Sequence, residues 1–590
     1  EQASVALVQA WNAIPRHDKT IAAAKEFELK FPKSPSLPLV LYLRGVAEQQ
    51  TTDYTASFET FHQILNQFPT SEFAPRASFM AAFTHLLAEK NDEAAKKFEE
   101  FLSKYPKSDL QEASHYWLGV ALSLQEKYDE SRKVLSDYLK KHPSGAFSGA
   151  AKFRRAYAAH SKMDFATSIP ELHAFLEEHP GHENEAEARV LLGDALLNEG
   201  RIEEGIQVYA AIPKEKTRFY EEGVFKTAKA LKLMEDYDAL RNHLLKFAHE
   251  NPRSSRLAEA IYLIGWADRQ QGRENEAKER YWKAISELGN DPLIQGVEDM
   301  FSALQKLYPG EDGQNQYFQR LSDLRSKFPQ GSPMDIRLRW ADAQARKRSD
   351  PVGARKVLLE LAKTVDTSTT SPAILADLAE ARLEIGDDIG ALQLFRELVR
   401  WNPRAPQKDR ALAEIGLAEL RTGRLDDAMS TFQRFLKETV GSRHTPRVLF
   451  AKAEIEQKRN QFQEAKKTLE SLLSDQSATG RDKAEALYRI GELHLAEGKP
   501  QLAVPYFQRI YIMHGRWRDW VAKAYLRSGE AFEKLRDTEA ARRTYAELLA
   551  ASELQNFEET KLAQQRLQAL GGPPQEKPQP KQNPEPTPKT

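Results

Sequence analysis

The sequence predicts an all-α fold, a superhelical solenoid of about 15 helical hairpins. The main observation is a small residue that returns every 37 positions in the N-terminal part of the chain. This set comprises Thr20, Ser57, Ala94, Ser131, Ser168 and Gly205. A second set continues the pattern in the C-terminal part, with one extra residue before each of the last two members: Ala354, Ala391, Ala428, Ala465, Ala503 and Ala541. A fixed period of this length is typical of stacked supersecondary units, each of which packs on its neighbours.

Each repeat is interpreted as two amphipathic helices joined by a short turn. In residues 112–143, Ser131, Leu135 and Tyr138 are spaced by four and three positions, which places them on one face of the second helix. Asp129 precedes this face and is expected to cap the helix. The unit is therefore predicted to be a helical hairpin.

Two further sets of small residues indicate how the helices pack. One set lies in the first helix, twelve positions before the small residue of the second, and is expected to allow a close helix–helix approach. Its members are Gly45, Ala82, Gly119, Ala156, Gly193, Gly265, Gly416, Gly491 and Gly529. The other set lies five positions before the second-helix residue, where a glycine in the left-handed conformation ends a helix. Its members are Gly200, Gly272, Gly386, Gly423 and Gly498.

The spacing of these residues resembles the tetratricopeptide repeat, in which Leu-Gly, Ala, Tyr or Phe and Pro follow one another in this order. Gly265, Ala277 and Tyr281 show this order within residues 264–284. The period of 37 and segment endings such as FPKSP (31–35) and FPTSE (68–72) resemble the repeats of bacterial envelope proteins. These include the outer-membrane assembly lipoprotein and the Tol–Pal coordinator. The resemblance implies a protein-binding scaffold of the cell envelope.

Changes in composition divide the chain into four predicted parts. An N-terminal repeat array covers residues 1–288, and a C-terminal array covers residues 334–570. Between them, residues 289–333 lack a clear small position and are interpreted as an irregular repeat or hinge. Residues 571–590 include 7 prolines and are predicted to form a disordered tail.

Charge and cysteine content limit the partners and the compartment. The net charge of −1, from 85 basic and 86 acidic residues, gives no excess of cations for nucleic acid binding. The chain has no cysteine, which suits an oxidising compartment such as the periplasm. No apolar run is long enough to span a membrane. Because the first residue is Glu1 rather than Met, we expect that a signal peptide, with any lipid anchor, has been removed or that the chain boundary is artificial.

No catalytic or cofactor-binding motif is found. The sequence contains no GxGxxG and no GxxxxGK[ST] phosphate loop, and it has no cysteine nucleophile. His173, His179 and His182 lie close together in the sequence and suggest either a surface metal site or solvated residues at a helix end. The predictions are therefore no enzyme activity, no cofactor and no assigned metal ligand.

A cluster of aromatic and arginine residues near the C-terminus is the candidate partner-binding site. Arginine and tryptophan are enriched at binding hot spots, and the repeat pattern does not require them here. The candidate residues are Tyr511, Arg516, Trp517, Arg518 and Trp520. The alternative interpretation is additional packing near the end of the solenoid.

These observations favour a non-enzymatic envelope scaffold that binds a peptide segment or helix of a partner protein on a concave groove. Two alternatives stay open. One is a cytoplasmic assembly scaffold. The other is a peptidoglycan- or carbohydrate-binding repeat protein that uses its tryptophans for sugar stacking.

Overall fold

The computed structural model describes residues 1–573, which form 31 α-helices and one short 3₁₀ helix without any strand. Most consecutive helices pack against each other as hairpins, so the predicted all-α repeat fold is confirmed. The chain separates into two compact units. The first contains residues 1–253 and 263–277, and the second contains residues 254–262 and the described chain from 278 onward. Within residues 1–573, no helix is both long and apolar enough to cross a bilayer.

The helices up to residue 250 belong to the first unit. They are α1 (Gln2–Ala13), α2 (His17–Lys30), α3 (Leu37–Gln50), α4 (Tyr54–Gln67), α5 (Phe73–Leu87), α6 (Asn91–Lys104), α7 (Gln111–Leu124), α8 (Tyr128–Lys141), α9 (Ser148–Ser161), α10 (Phe165–Glu178), α11 (Glu185–Asn198), α12 (Ile202–Ala210), α13 (Thr217–Leu233) and α14 (Tyr237–Glu250).

Two helices contribute residues to both units, namely α15 (Leu257–Gln270) and α16 (Glu274–Leu288). The remaining helices belong to the second unit. They are α17 (Val297–Leu307), α18 (Gly310–Arg325), α19 (Pro333–Arg346), α20 (Pro351–Leu361), α21 (Pro372–Leu383), α22 (Asp388–Trp401), α23 (Lys408–Arg421), α24 (Leu425–Glu438), α25 (Thr445–Lys458), α26 (Phe462–Ser474), α27 (Gly480–Ala496), α28 (Pro500–Met513), α29 (Arg518–Lys534), α30 (Thr538–Ala550), the 3₁₀ helix (Ser552–Leu554) and α31 (Glu558–Ala569).

The first-helix glycines make room for a bulky side chain of their own hairpin. A Cβ atom added at six of these glycines would lie only 2.2 to 2.7 Å from the residue sixteen positions later. The pairs are Gly45–Phe61, Gly119–Leu135, Gly193–Tyr209, Gly416–Phe432, Gly491–Phe507 and Gly529–Tyr545. The small second-helix residues add a polar contact in two hairpins, where the hydroxyls of Ser57 and Ser131 donate to the carbonyls of Gly45 and Gly119 at 2.8 and 2.7 Å. Close packing within the hairpin therefore explains both sets of small residues.

The turn within twelve of the hairpins contains one residue in the left-handed conformation. The five glycines predicted there have φ between +72° and +78°, which confirms the prediction. Seven other hairpins place a residue with a side chain at the same position, with φ between 57° and 62°. These residues are Thr52, Glu89, Glu126, Met163, Glu235, Asn460 and Arg536. The packing of the hairpin thus imposes the turn even where its residue disfavours that conformation.

The prediction that Asp129 caps the second helix is wrong. Helix α8 begins at Tyr128 with Lys127 at the N-cap, so Asp129 lies in the first turn. Its carboxylate instead accepts a hydrogen bond from Lys162 at 2.6 Å. In other hairpins the residue that corresponds to Lys127 is an aspartate that does cap, as Asp53 and Asp537 do.

The segment at residues 289–333 contains α17 and α18, and its first part is fixed by Arg337 of α19. The side chain of Arg337 is only 3% exposed, and its Nε atom donates to the carboxylate of Glu298 at 2.9 Å. Its other nitrogens donate to backbone carbonyls at 2.7 to 2.8 Å, those of Gly289, Asp291 and Ile294. The buried arginine therefore provides hydrogen bonds to backbone carbonyls that have no partner within a helix. The boundary at 289–333 stays a prediction.

The beginning of the predicted tail is bound to α30. The guanidinium of Arg542 donates to the carbonyls of Gly572 and Pro573 at 2.5 and 2.6 Å. Residues 574–590 lie outside the described residues, so the predicted disorder of residues 571–590 stays a prediction.

Candidate functional site

A groove in the second unit is formed by three alternate helices, α27, α29 and α31. Its volume is about 350 Å³. The lining residues combine two aromatic rings with charged side chains of both signs: Glu485, Tyr488, Arg489, Trp520, Lys523, Leu526, Arg527 and Glu559.

The helical period explains why these residues share a surface. On α29, Trp520, Lys523 and Arg527 are spaced by three and four positions and form one stripe. Gly529 of the same helix lies on a different face, which packs against Tyr545 of α30. The repeat pattern thus uses one face of each first helix for the hairpin contact and leaves another face for the groove.

The aromatic part of the groove is built from Trp520 and Tyr488. Their ring centroids are 5.4 Å apart, and the ammonium of Lys523 lies 4.6 Å from the centroid of the Trp520 ring. Burial raises the pKa of Tyr488 to about 12, so its phenol is neutral at physiological pH. The indole N–H of Trp520 is shielded from solvent and meets no acceptor within residues 1–573. Unpaired donors of this kind are rare in native proteins.

Most charges around the groove are already paired. The guanidinium of Arg527 binds Glu492 at 2.7 Å and Glu530 at 2.5 Å, and these hydrogen bonds, chiefly that to Glu492, raise the pKa of Arg527. In contrast, Lys523 and Glu559 have no ion-pair partner within the part of the chain that the structure describes. The groove therefore offers one cation and one carboxylate to a ligand.

The structure does not gather the five sequence-predicted residues at one point. Trp520 lines the groove, whereas Tyr511 stacks on Tyr525 with ring centroids 3.9 Å apart and planes inclined by 7°. Trp517 packs over the start of α27, where a Cβ added at Gly480 would lie 3.0 Å from its indole nitrogen. Tyr511, Trp517 and Trp520 all pack against the core of this unit.

The two arginines of the predicted set, Arg516 and Arg518, are exposed beside Trp517. The guanidinium of Arg516 lies 5.5 Å from the centroid of the Trp517 ring. Of the five residues, only Trp520 is therefore in the groove, and the role of the others in binding stays a prediction.

Sequence reasoning missed Tyr488, Lys523 and Glu559. A signal was present, because the stripe of Trp520, Lys523 and Arg527 lies on a predicted first helix at helical spacing. The meeting of α27, α29 and α31 at one groove depends on the stacking of three hairpins, which the spacing within one helix does not specify.

The three neighbouring histidines lie near a repeat boundary. The rings of His179 and His182 pack on Phe175, with centroids 5.7 and 5.2 Å from its ring. They are half-buried and not fully solvated. No group of three potential metal ligands occurs within residues 1–573.

Family models match several parts of the chain. The model of the outer membrane lipoprotein family YfiO matches residues 36–127 and 119–217. Tetratricopeptide-repeat models match residues 371–441, 450–516 and 523–551. No curated protein matches the chain.

Solved structures with similarity to the chain include that of Naa15/Naa10 bound to HypK-THB. It is 12% identical, with 96% of each chain covered and a TM-score of 0.37. The APC/C hetero-tetramer Cut9–Hcn1 is 13% identical, with 89% of this chain and 95% of that chain covered and a TM-score of 0.30. Both similarities are too low to carry an argument about function.

Proposed function

We propose that this chain, a tetratricopeptide-repeat protein, is a non-enzymatic scaffold of the bacterial cell envelope that binds a partner protein in the groove of α27, α29 and α31. The groove itself is the observation that carries the proposal, because it is concave and aromatic and presents the two charges of Lys523 and Glu559. The envelope location is supported by the similarity of residues 36–217 to an outer membrane lipoprotein family.

The groove chemistry suits a short peptide segment. An acidic side chain of the ligand would pair with Lys523, whose ammonium lies over the Trp520 ring. An apolar side chain would pack on the surface formed by the adjoining rings of Trp520 and Tyr488. The bound segment would therefore carry an apolar residue next to an acidic one.

Proximity labelling tests the groove directly. A photo-crosslinking amino acid in place of Arg489 is expected to capture the partner from envelope extracts, because Arg489 lines the groove and its side chain is 41% exposed. The same crosslinker in place of Trp401, which is 46% exposed on another helix, is the matched control. The crosslinked peptide should contain an acidic residue.

The variant Trp520→Ala with Lys523→Ala should abolish this crosslink while circular dichroism shows an unchanged helix content. Retained crosslinking in the double variant would contradict the groove assignment. Recovery of the protein from the cytoplasmic fraction alone would favour the cytoplasmic scaffold. Capture by peptidoglycan that depends on Trp520 would favour the sugar-binding alternative.

A further inference from the structure

Helix α28 carries much less charge than the second helix of the next hairpin, α30. It contains one charged residue, Arg509, whereas α30 in the next hairpin contains Glu539, Arg542, Arg543 and Glu547. A helix that packs on a core with one face normally presents a polar face to solvent. The sequence of α28 does not provide such a face.

The structure shows where the apolar residues of α28 lie. Ala503, Phe507 and Ile510 are fully buried against the core. On the outer side, Leu502 is 46%, Ile512 is 73% and Met513 is 65% exposed. The two residues at the end of the helix therefore project from the surface.

Three arginines accompany these apolar residues. Arg509, Arg516 and Arg518 are exposed, and none has a carboxylate partner within residues 1–573. The nearest acidic residue in sequence, Asp519, is engaged by Arg481 at 2.7 Å. His514, between the exposed helix end and the loop, has its pKa lowered by burial and by the positive charges of Arg509 and Lys483. The end of α28 therefore carries three cations that are unpaired within the described chain, and the nearby Glu470 is already engaged by the hydroxyl of Tyr506 at 3.2 Å.

We propose that the outer face of α28, formed by Leu502, Ile512 and Met513 with Arg509, Arg516 and Arg518, contacts an anionic lipid surface. Ile512 and Met513 enter the boundary between headgroups and acyl chains, and the guanidiniums pair with lipid phosphates. A membrane surface deforms around projecting side chains, whereas a protein partner would need a preformed pocket for them. Charge and shape together therefore select lipid as the occupant.

The contact is expected to be weak and reversible. An arginine close to an anionic membrane contributes about a fivefold gain in affinity, and the gain decays within about 10 Å at moderate salt. Three arginines and two apolar side chains give a peripheral contact that orients the protein on the surface. This inference does not depend on the groove of α27, α29 and α31.

Cosedimentation of the full chain with vesicles tests the proposal. The protein should bind vesicles of phosphatidylcholine mixed with phosphatidylglycerol, should bind pure phosphatidylcholine at least tenfold more weakly, and should be released by salt. The variant Arg509→Gln/Arg516→Gln/Arg518→Gln and the variant Ile512→Ser/Met513→Ser should each lose at least tenfold in affinity. All five residues are exposed, so circular dichroism should show the same fold.

Two matched controls are available in the same unit. Ile385→Ser/Ile389→Ser removes apolar residues that are 54% and 75% exposed, and Arg348→Gln/Arg404→Gln removes two exposed arginines. Both controls should bind as the unsubstituted chain does. Equal losses in the controls and in the α28 variants would overturn the proposal, and so would full binding by the Ile512/Met513 variant.

The absence of cysteine permits a second readout at one site. An environment-sensitive dye on Met513→Cys should shift its emission to the blue when anionic vesicles are added. The same dye on Ile389→Cys should not respond. An unchanged signal at position 513 would overturn the insertion of this residue, and a response to an acidic peptide in place of vesicles would assign the surface to a protein partner.

Discussion

Two regions of the molecule are held by close contacts of different chemistry. One is the hairpin of α23 and α24, and the other is the connection at residues 289–296, between α16 and α17. In the hairpin, Gly416 lacks the side chain that would collide with Phe432, and a single hydrogen bond from Thr431 to Glu419 at 2.7 Å accompanies this apolar contact. In the connection, Arg337 donates hydrogen bonds to three backbone carbonyls and to the buried carboxylate of Glu298. The fit of apolar groups dominates the first contact, and directional hydrogen bonds dominate the second.

This difference determines how each region tolerates change. An apolar contact can adjust its rotamers, and other hairpins place Ala82 or Ala156 where this one has glycine. A buried ion pair has no such latitude, because removal of one partner leaves the other charged and unsolvated. The irregular segment should therefore be the more sensitive of the two.

The largest expected effect is that of Arg337→Met. Loss of the guanidinium leaves the carboxylate of Glu298, which is only 7% exposed, without its partner. The free energy of unfolding should fall by about 3–5 kcal/mol, measured by urea denaturation followed by circular dichroism. Adding Glu298→Leu should restore part of the loss.

The matched control is Arg346→Met on the same helix, whose partner Asp342 is 31% exposed. It should change the free energy of unfolding by less than about 1 kcal/mol. Equal effects of the two arginine variants would show that Arg337 does not fix the connection.

An intermediate effect is expected from Ala428→Leu in the regular hairpin. Ala428 is fully buried, so the added methylene groups would force α23 and α24 apart. The free energy of unfolding should fall by about 1–3 kcal/mol. Ser430→Leu on the exposed side of α24 should stay within about 0.5 kcal/mol of the original chain. An unchanged urea midpoint for Ala428→Leu would show that this position lies outside the helix contact.

Acidification should destabilise the repeat helix α27 more than the irregular segment at residues 289–337. Burial lowers the pKa of His494 on α27, and the nearby Lys466 lowers it in addition, whereas residues 289–337 contain no histidine. A histidine with a lowered pKa in the folded state stabilises the fold above its ordinary pKa of about 6.5, and this contribution is lost as the pH falls below that value.

Hydrogen exchange above and below this pH provides the measurement. Protection of α27 should decrease on acidification, while protection of α17 and α19 should change less. In His494→Gln, the decrease at α27 should become smaller. The same pH dependence of α27 in both chains would rule out His494 as its source.

The smallest effect concerns the turn within the hairpin. Arg536 has φ of 60°, a conformation that disfavours side chains, so Arg536→Gly should raise the free energy of unfolding by about 0.5–1 kcal/mol. Gly498→Ala should lower it by about 1 kcal/mol, because Gly498 has φ of 72°. The urea midpoints should therefore move in opposite directions, and a shared direction would contradict the role of backbone conformation.

The two regions also differ in how far the sequence predicts them. Gly423 and Gly498 recur at a fixed distance from the small residues, so their turns could be predicted without a structure. The contact of Arg337 with Gly289 spans 48 residues and occurs once, so no period indicates it. The site follows the same rule. Trp520 could be predicted because it lies in a segment rich in aromatic residues and arginine. Lys523 and Glu559, in contrast, become neighbours only when α29 and α31 stack.

The pairing of each glycine with a ring from its own hairpin bears on how such a chain grows by duplication. A copied stretch that contains both Gly416 and Phe432 brings its complete contact with it, so a hairpin can be gained or lost without a compensating change elsewhere. The contact of Arg337 with Gly289 and Glu298 is different, because its parts lie on separate hairpins. A duplication that ended between them would separate donor from acceptor. The number of hairpins on either side of residues 289–337 is thus free to vary during evolution, while this segment must be inherited whole.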